Sequence, residues 1–529
     1  VDRLTTERYG IPSILLMENA ANAVARVVIE KLGGSVVDKE VIVLCGMGNN
    51  GGDGAAIARL LADAGATVCV EIFGTVAETS GDVRINFDRL SSLPGITVKE
   101  MRAELDDYGV SEWIARSDYD YADVVVDALF GTGLTRPLGE FYAEQADILE
   151  RWRNSHGGRP LIVSVDLPSG LRADASELIG PSFRADVTVT FTAPKAGNVL
   201  AGAAGFNGEL VIAEIGSPLD LLDEQPSQVY LTESEDVLEW LVASKFTDIS
   251  YKNTRGHSLV IAGSENYSGA AVLAGNAAMR SGVGLVTVVT PSSSKESVTS
   301  RVLPEVMVRG ASETENGAIS EAAFDEISDL LEKAGSIGIG CGLLQDASTK
   351  AFLEKVIESR SQPVIVDADG LNLLSPWQAN WPPAHAGGSD IILTPHEGEF
   401  MRLLGTDDKD VIKDRVAAVR DFAVKNNVIL VLKGERVLIG STDGRVVVNP
   451  TGNSGLGKAG NGDTLAGIVA GFVAQAGRFE IDIFETVVAA VYVAGMAGDI
   501  AEKKYGKRVM TASDVRECLT DVFAGLEKN

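Results

Sequence analysis

Residues 41–54 read Val41-Ile42-Val43-Leu44-Cys45-Gly46-Met47-Gly48-Asn49-Asn50-Gly51-Gly52-Asp53-Gly54, and this stretch decides the fold. Val41–Cys45 is apolar and β-branched, the mark of a strand buried on both faces. The glycines after it permit a tight turn, and Asn50–Ala64 then takes up a helical period. Gly46, Gly48 and Gly51 satisfy GxGxxG, and Glu71 stands twenty positions after Gly51, where a dinucleotide-binding unit carries its ribose-binding acid. A bound NAD is one reading of that spacing. Two features weigh against it. Asn49 and Asn50 occupy the loop, and Asp53 falls in the first helical turn, where a carboxylate competes with a pyrophosphate for the positive helix end. The plainer alternative makes the glycines a tight turn and Asp53 a helix cap.

The strand–turn–helix pattern repeats outward from this point. Thr67–Phe73, Ala122–Asp127 and Leu161–Asp166 read as further buried parallel strands, and Gly139–Trp152 as a helix between two of them. That alternation specifies an α/β fold with a doubly wound sheet. After the strand Glu209–Ile215, the segment Ser217–Gln228 turns polar and proline-punctuated, which places a boundary near residue 223. Domains are expected over 1–222 and 229–529. The second contains the strands Ser258–Gly263, Gly284–Thr290, Ser336–Gly340, Pro363–Asp367, Asp390–Thr394, Val428–Lys433 and Arg445–Val448, with Asp463–Ala476 and Ile483–Ala501 as helices. No internal repeat links the two halves. Pro376–Gly388, with Trp377 and Trp381, reads as a loop.

Composition bounds the function. The chain has 529 residues, 45% of them hydrophobic and 23% charged, which is too long for one core and excludes a disordered or fibrous chain. Lys+Arg 46 against Asp+Glu 74 gives a net charge of −28, so no nucleic-acid partner is expected and any phosphate must be held locally. Cys45, Cys69, Cys341 and Cys518 lack CxxC spacing, which argues against a zinc site or disulfide framework and suits a reducing cytoplasm. No run of about 18 apolar residues and no signal-peptide pattern is evident, so no membrane partner is expected.

Two more strands of the first half end in unusual polar turns, Asp127-Ala128-Leu129-Phe130-Gly131-Thr132-Gly133 and Asp166-Leu167-Pro168-Ser169-Gly170. The carboxyl ends of parallel strands line one crevice, so Asn50, Asp127, Asp166 and Ser169 can converge there. Hard oxygen ligands of low total charge suit a monovalent cation or a substrate hydroxyl. Together with Asn49-Asn50-Gly51-Gly52-Asp53-Gly54 and the opening Gly10-Ile11-Pro12…Leu16-Met17-Glu18-Asn19-Ala20-Ala21, these turns resemble the NAD(P)H-hydrate epimerase domain over roughly residues 1–220. The resemblance implies a Rossmann-like three-layer α/β/α domain with potassium (K+) on Asn50, Asp127 and Ser169. It places the hydrated nucleotide on Asn49, Asn50, Gly51, Gly52 and Asp53 and on Gly131, Thr132, Gly133, Leu134, Thr135, Arg136 and Pro137. Asp166 becomes a substrate contact and the acid/base residue. Met47 departs from the family's usual Asn.

In the second half, Gly452-Asn453-Ser454-Gly455-Leu456-Gly457-Lys458 matches GxxxxGK, but Ala459 lacks the hydroxyl that a P-loop puts on Mg2+, so that reading fails. In Lys458-Ala459-Gly460-Asn461-Gly462-Asp463-Thr464, glycines admit phosphates and Asp463 stands at a helix start. There it can accept a hydroxyl proton during phosphoryl transfer, or serve only as a cap. Asp367-Ala368-Asp369-Gly370, Thr394-Pro395-His396-Glu397-Gly398-Glu399 and Lys433-Gly434 all follow strands. With Gly256-His257, Ala262-Gly263-Ser264, Tyr267-Ser268-Gly269-Ala270-Ala271 and Ile339-Gly340-Cys341-Gly342-Leu343, they resemble the ADP/ATP-dependent NAD(P)H-hydrate dehydratase domain of the ribokinase-like superfamily, over about residues 230–520.

That resemblance implies a second three-layer α/β/α domain of ribokinase-like form. It assigns Ala270, Gly342, His396 and Asp463 to the hydrate, with Asp463 catalytic. The adenine nucleotide falls to Lys433, Gly434, Glu435, Arg436 and Val437 and to Asn453, Ser454, Gly455, Gly457, Lys458, Ala459, Gly460, Asn461 and Gly462. Departures are Cys341 for a usual Pro, Asn461 for a usual Thr, and a lysine turn ending in Val437 where the family commonly has Thr or Ser. The implied function is repair of NADHX and NADPHX. One domain epimerises the R and S forms, and the other dehydrates the S form with ADP or ATP and Mg2+. A cytoplasmic homo-oligomer is expected. The rival readings are a ribokinase-like small-molecule kinase with a regulatory N-terminal domain, and a non-enzymatic NAD(P) sensor.

Overall fold

In a computed structural model of the chain, seven parallel strands form the first sheet: β1 (Glu40–Cys45), β2 (Thr67–Phe73), β3 (Ile96–Met101), β4 (Val124–Ala128), β5 (Leu161–Val165), β6 (Val187–Phe191) and β7 (Glu209–Ala213). The structure describes all residues except 91–92, 102–118, 120, 156–159, 226, 379–380, 383–389 and 528–529. The strand order is β3-β2-β1-β4-β5-β6-β7, so the winding reverses between β1 and β4 and opens a crevice at their carboxyl ends. Successive strand residues face opposite ways. Val41, Val43, Val124, Val126, Val163 and Val165 pack on the layer of helices Ser13–Lys31, Asn49–Asp63 and Gly81–Leu90. Ile42, Leu44, Val125 and Ile162 pack on the opposite layer with Leu149 of helix Glu140–Ser155. Each such side chain, fully buried, contributes about 1.5–3 kcal/mol.

The glycine turn after β1 is explained by close packing. A Cβ on Gly46 would stand 2.1 Å from the Leu129 carbonyl oxygen, and one on Gly51 would stand 1.8 Å from the Gly46 carbonyl oxygen. Asp53 differs from expectation. It is the fifth residue of helix Asn49–Asp63, whose N-cap is Gly48, so it is neither a cap nor part of the first turn. Glu71 lies near the end of β2, as its spacing indicates, but is 2% exposed and has Lys99 Nζ 3.9 Å from its Oε1.

The chain divides into two units, Val1–Ser227 and Gln228–Asn529. The second holds β8 (Val229–Leu231), β9 (His257–Ile261), β10 (Leu285–Pro291), β11 (Met307–Ala311), β12 (Ser336–Ile339), β13 (Val364–Val366), β14 (Ile391–Leu393), β15 (Ile429–Leu432), β16 (Leu438–Gly440) and β17 (Val446–Val448). Their order is β11-β10-β9-β12-β13-β14-β15-β16-β17-β8. Pairing is parallel except for the antiparallel β15–β16 and β16–β17 pairs. Ile365, Ile392, Ile429, Val431 and Val447 bury against Val469 and Phe472 of helix Asn461–Phe479 and Val487 of helix Ile483–Tyr505. The alternate residues Leu430 and Leu432 face the other way, toward the layer of helix Arg415–Asn426. Helix Ile483–Tyr505, interrupted by Glu485 and Asp499, is long and apolar enough to cross a membrane by length and composition, and 72% of its most apolar stretch is buried.

The strands β3, β6, β8, β11 and β16 escape the sequence reading. β3 and β11 are sheet edges carrying Lys99, Glu100 and Arg309, and β8 and β16 have three residues each. Much of Pro376–Gly388 lies outside the described residues; Trp381, within the described part, donates to Glu358 Oε1 at 3.0 Å.

Candidate active sites

The first site is built on the ends of β1, β4 and β5. Asp127 is fully buried, and all four of its donors are neutral. Ser169 N and Ser164 Oγ donate to Oδ2 at 2.8 and 2.9 Å; Ser169 Oγ and Leu129 N donate to Oδ1 at 2.5 and 3.4 Å. Burial holds this carboxyl above its usual range although the hydrogen bonds pull it down. Ser169 Oγ also accepts from Phe130 N at 3.0 Å. Asn50 is buried beside the same turn. Its Oδ1 is 3.1 Å from where a Gly131 Cβ would stand, and its Nδ2 has no partner. Asn50 offers an amide oxygen, Asp127 a buried carboxylate and Ser169 a hydroxyl, hard oxygen ligands of the kind an alkali cation takes, whereas the idle Asn50 Nδ2 is a donor and does not bear on a cation.

Asp166 stands just after β5 with φ +66°, a left-handed conformation that is strained for Asp. Lys195 Nζ donates to its Oδ1 at 2.6 Å, and Thr190 Oγ1 donates to the same oxygen at 3.0 Å. Lys195 Nζ is fixed further by Thr190 Oγ1 and the Phe191 carbonyl, both at 2.9 Å. Burial, and after it the Asp166 charge, holds the Asp53 carboxyl well above the usual carboxylate range. The site therefore contains two carboxyls in opposite surroundings, one against an ammonium and one desolvated. Sequence reasoning missed Lys195, whose partner is 29 residues away in the chain. Thr132, Gly133, Thr135, Arg136 and Pro137 are exposed.

The second site lies where the winding reverses between β9 and β12. A Cβ on Gly342 would be 3.0 Å from Ala270 Cβ, so these two assigned residues adjoin. Helix Asn461–Phe479 has Gly460 as its N-cap, and Asp463 is its third residue with no capping role. Burial raises the Asp463 carboxyl to about 6; the Cys341 thiol, which donates a hydrogen bond to it, and Lys433 pull it down, while Asp367 and Asp369 push it up. Lys433 Nζ donates to Asp367 Oδ1 at 2.6 Å and lies 3.7 Å from Glu399 Oε2. Burial works against its ammonium, yet Asp367 and Glu399 keep it above its ordinary value.

His396 caps helix Glu397–Leu404. Its Nδ1 accepts from Glu399 N at 3.3 Å, its own N donates to Glu399 Oε2 at 2.8 Å, and its exposed ring has Nε2 3.5 Å from Glu399 Oε1. Several residues assigned to the nucleotide are engaged within the protein. Lys458 Nζ donates to the carbonyls of Arg508 and Met510 at 2.7 and 2.9 Å. Arg436 donates to the Pro450 carbonyl, and Asn453 Nδ2 to Asp499 Oδ1 at 2.9 Å. At the helix start, Asn461 Oδ1 and Thr464 Oγ1 are buried without partners. The sequence reading did not single out Thr464 or Asp499. It noted Cys341 only as a departure, and the structure places that thiol on Asp463.

Two family models match the chain in succession, one described as YjeF-related protein N-terminus over residues 13–197 and one as NAD(P)H-hydrate dehydratase over residues 258–521. The fold, the second site and the longer match define an α/β enzyme of the hydrate dehydratase class, preceded by a second α/β module. The bifunctional NAD(P)H-hydrate repair enzymes Nnr of Moorella thermoacetica and Thermofilum pendens are each 34% identical over 100% of this chain, covering 96% and 95% of their own lengths. The chain belongs to the family of bifunctional NAD(P)H-hydrate repair enzymes. Among solved structures, the ADP/ATP-dependent NAD(P)H-hydrate dehydratase from Bacillus subtilis, co-crystallized with ATP/Mg2+, is 30% identical with a TM-score of 0.49, over 57% of this chain and 99% of that one.

Proposed function

We propose that the first unit interconverts the R and S epimers of hydrated NADH and NADPH (NADHX and NADPHX), and that the second returns the S epimer to NADH or NADPH using ADP or ATP. The observation that carries this reading is the cluster at the start of helix Asn461–Phe479, where the half-buried Asp463, its carboxyl raised to about 6, stands among Cys341, Asp367 and Lys433. A base with that pKa is largely ionised at neutral pH yet binds a proton readily. Asp463 takes the proton of the ring hydroxyl as its oxygen attacks the terminal phosphorus and the bond to the leaving nucleotide breaks. The phosphate then departs with the C–O electron pair, and loss of a proton from the adjacent ring carbon restores the double bond. The amides at the start of helix Asn461–Phe479 and the free Thr464 hydroxyl face developing phosphate charge. Lys433 orients Asp367. Mg2+ is expected to enter as the counter-ion of the nucleotide phosphates, where it neutralises their charge.

In the first unit Asp166, held by Lys195, supplies a proton acceptor and the desolvated Asp53 a proton donor for the exchange. Asn50, Asp127 and Ser169 would hold potassium, which balances the buried Asp127 charge and attracts the phosphates of the substrate. Fusion has a chemical reason: a dehydratase specific for one epimer strands the other unless the two interconvert. All four cysteines are unpaired, and we place the enzyme in the reducing cytoplasm. The test is to give the S hydrate with ATP or ADP and Mg2+ to the full chain. Return of dihydronicotinamide absorbance with one phosphate released per turnover is expected; accumulation of a phosphorylated product with no such return would contradict the proposal.

A further inference from the structure

We propose that Arg415 binds the polyphosphate of the adenine nucleotide and supplies the donor that the lysine turn Lys433–Val437 lacks. The inference rests on the reading above, that a nucleotide occupies this turn. Val437 ends the turn with a side chain that cannot donate. The other cations near it are committed: Lys433 to Asp367 and Glu399, Lys458 to the carbonyls of Arg508 and Met510, and Arg436 to the Pro450 carbonyl.

Arg415 differs. It begins helix Arg415–Asn426, where its neighbour Asp414 provides the cap by accepting from Ala417 N at 2.9 Å, so Arg415 has no capping work. Its Nε and Nη2 are buried and have no hydrogen-bond partner. The guanidinium is laid against the turn, with Nη2 3.1 Å and Nη1 3.7 Å from where a Cβ on Gly434 would stand. Gly434, at φ +150°, keeps that space open. Glu397, from the turn after β14, and Glu435 contribute opposite charge nearby without forming an ion pair with Arg415 among the described residues. A desolvated guanidinium with idle donors is costly in the free protein. An incoming phosphate matches its fork and would satisfy it. Lys433, one residue from Gly434, already reaches the Asp367 and Asp463 cluster, so a ligand along this turn passes from Arg415 toward the reacting centre with its phosphates.

Calorimetric titration of the full chain with ATP, ADP and adenosine, in Mg2+ and without hydrate, tests this on wild type, Arg415→Gln and Arg415→Lys. Arg415→Gln is expected to weaken ATP and ADP about 10- to 100-fold, the range for a charged hydrogen bond. Adenosine should bind it as it binds wild type, and Arg415→Lys should fall between. Because Arg415 has idle donors in the free protein, the thermal midpoint of unliganded Arg415→Gln should equal or exceed that of wild type. The proposal is overturned if Arg415→Gln binds ATP within about twofold of wild type, or if adenosine weakens equally and the midpoint drops, which marks a structural role. If wild type binds neither ATP nor ADP, the nucleotide reading itself fails and takes the proposal with it.

Discussion

Asp463→Asn separates chemistry from stability because the two effects have opposite signs. Raising the carboxyl from 3.8 to about 6 means that ionising it in the fold costs about 3 kcal/mol more than in water. A carboxyl whose folded-state pKa lies above its unfolded one lowers stability at every pH above the folded value. That penalty fades as pH falls from about 6 toward 3.8. The variant never pays it, so in mildly alkaline buffer its thermal midpoint should equal or exceed that of wild type, and the difference should vanish in acid. Dehydration should nevertheless fall by about 10²–10⁴-fold, since an amide cannot accept the hydroxyl proton. Wild-type kcat/KM for the S hydrate should lose activity as pH drops below about 6. Melting curves across pH and initial rates on purified S hydrate supply both readouts. A variant that keeps more than about a tenth of the activity, or that melts well below wild type in alkaline buffer, would refute the reasoning.

Cys341→Ala removes the thiol that lowers the Asp463 carboxyl, so the acid limb of the dehydration profile should move to higher pH; a limb that stays put or moves down contradicts that role. Epimerisation should require potassium, and Asp127→Asn, which keeps the carboxylate's shape without its charge, should abolish both the requirement and most of the rate; an alkali-metal series with chromatographic separation of epimers decides. Lys195→Met should slow epimerisation about 10²-fold or more with partial recovery in Lys195→Arg, while leaving dehydration intact. Glu71→Ala should leave epimerisation within a few-fold of wild type but lower the thermal midpoint, because the side chain is buried within β2. A large loss of substrate affinity there would restore the dinucleotide-fingerprint reading.

What was legible in the sequence were features whose cause is local. Val41–Cys45 is recognisable because a strand buried on both faces admits no polar residue, and Gly46 and Gly51 because their neighbours leave no room for a side chain. Asp463 stands out between glycines and an apolar helix. What stayed hidden depends on partners distant in the chain. Lys195 matters because β6 carries it back to Asp166, and Arg415 because helix Arg415–Asn426 lies beside the turn of Gly434. The edge strands β3 and β11 were missed because solvent on one side relaxes the apolar pattern. Glu71 had the right spacing for a ribose contact, but spacing along the chain does not reveal that its carboxylate is buried among Tyr119 and Lys99.

The central claim is that one chain joins epimerisation to dehydration, and the pure R hydrate tests it most directly because neither unit alone returns it to NADH. Incubated with the full chain, ATP or ADP, Mg2+ and potassium, the R hydrate should return completely to NADH, far faster than with Asp166→Asn plus the same nucleotide. Mixing the Asp463→Asn protein with the Asp166→Asn protein should restore conversion, because each supplies the step the other lacks, whereas neither variant alone should return the R hydrate to NADH at that rate. Conversion that stalls with the R hydrate intact, or that proceeds equally well in Asp166→Asn, would contradict the account.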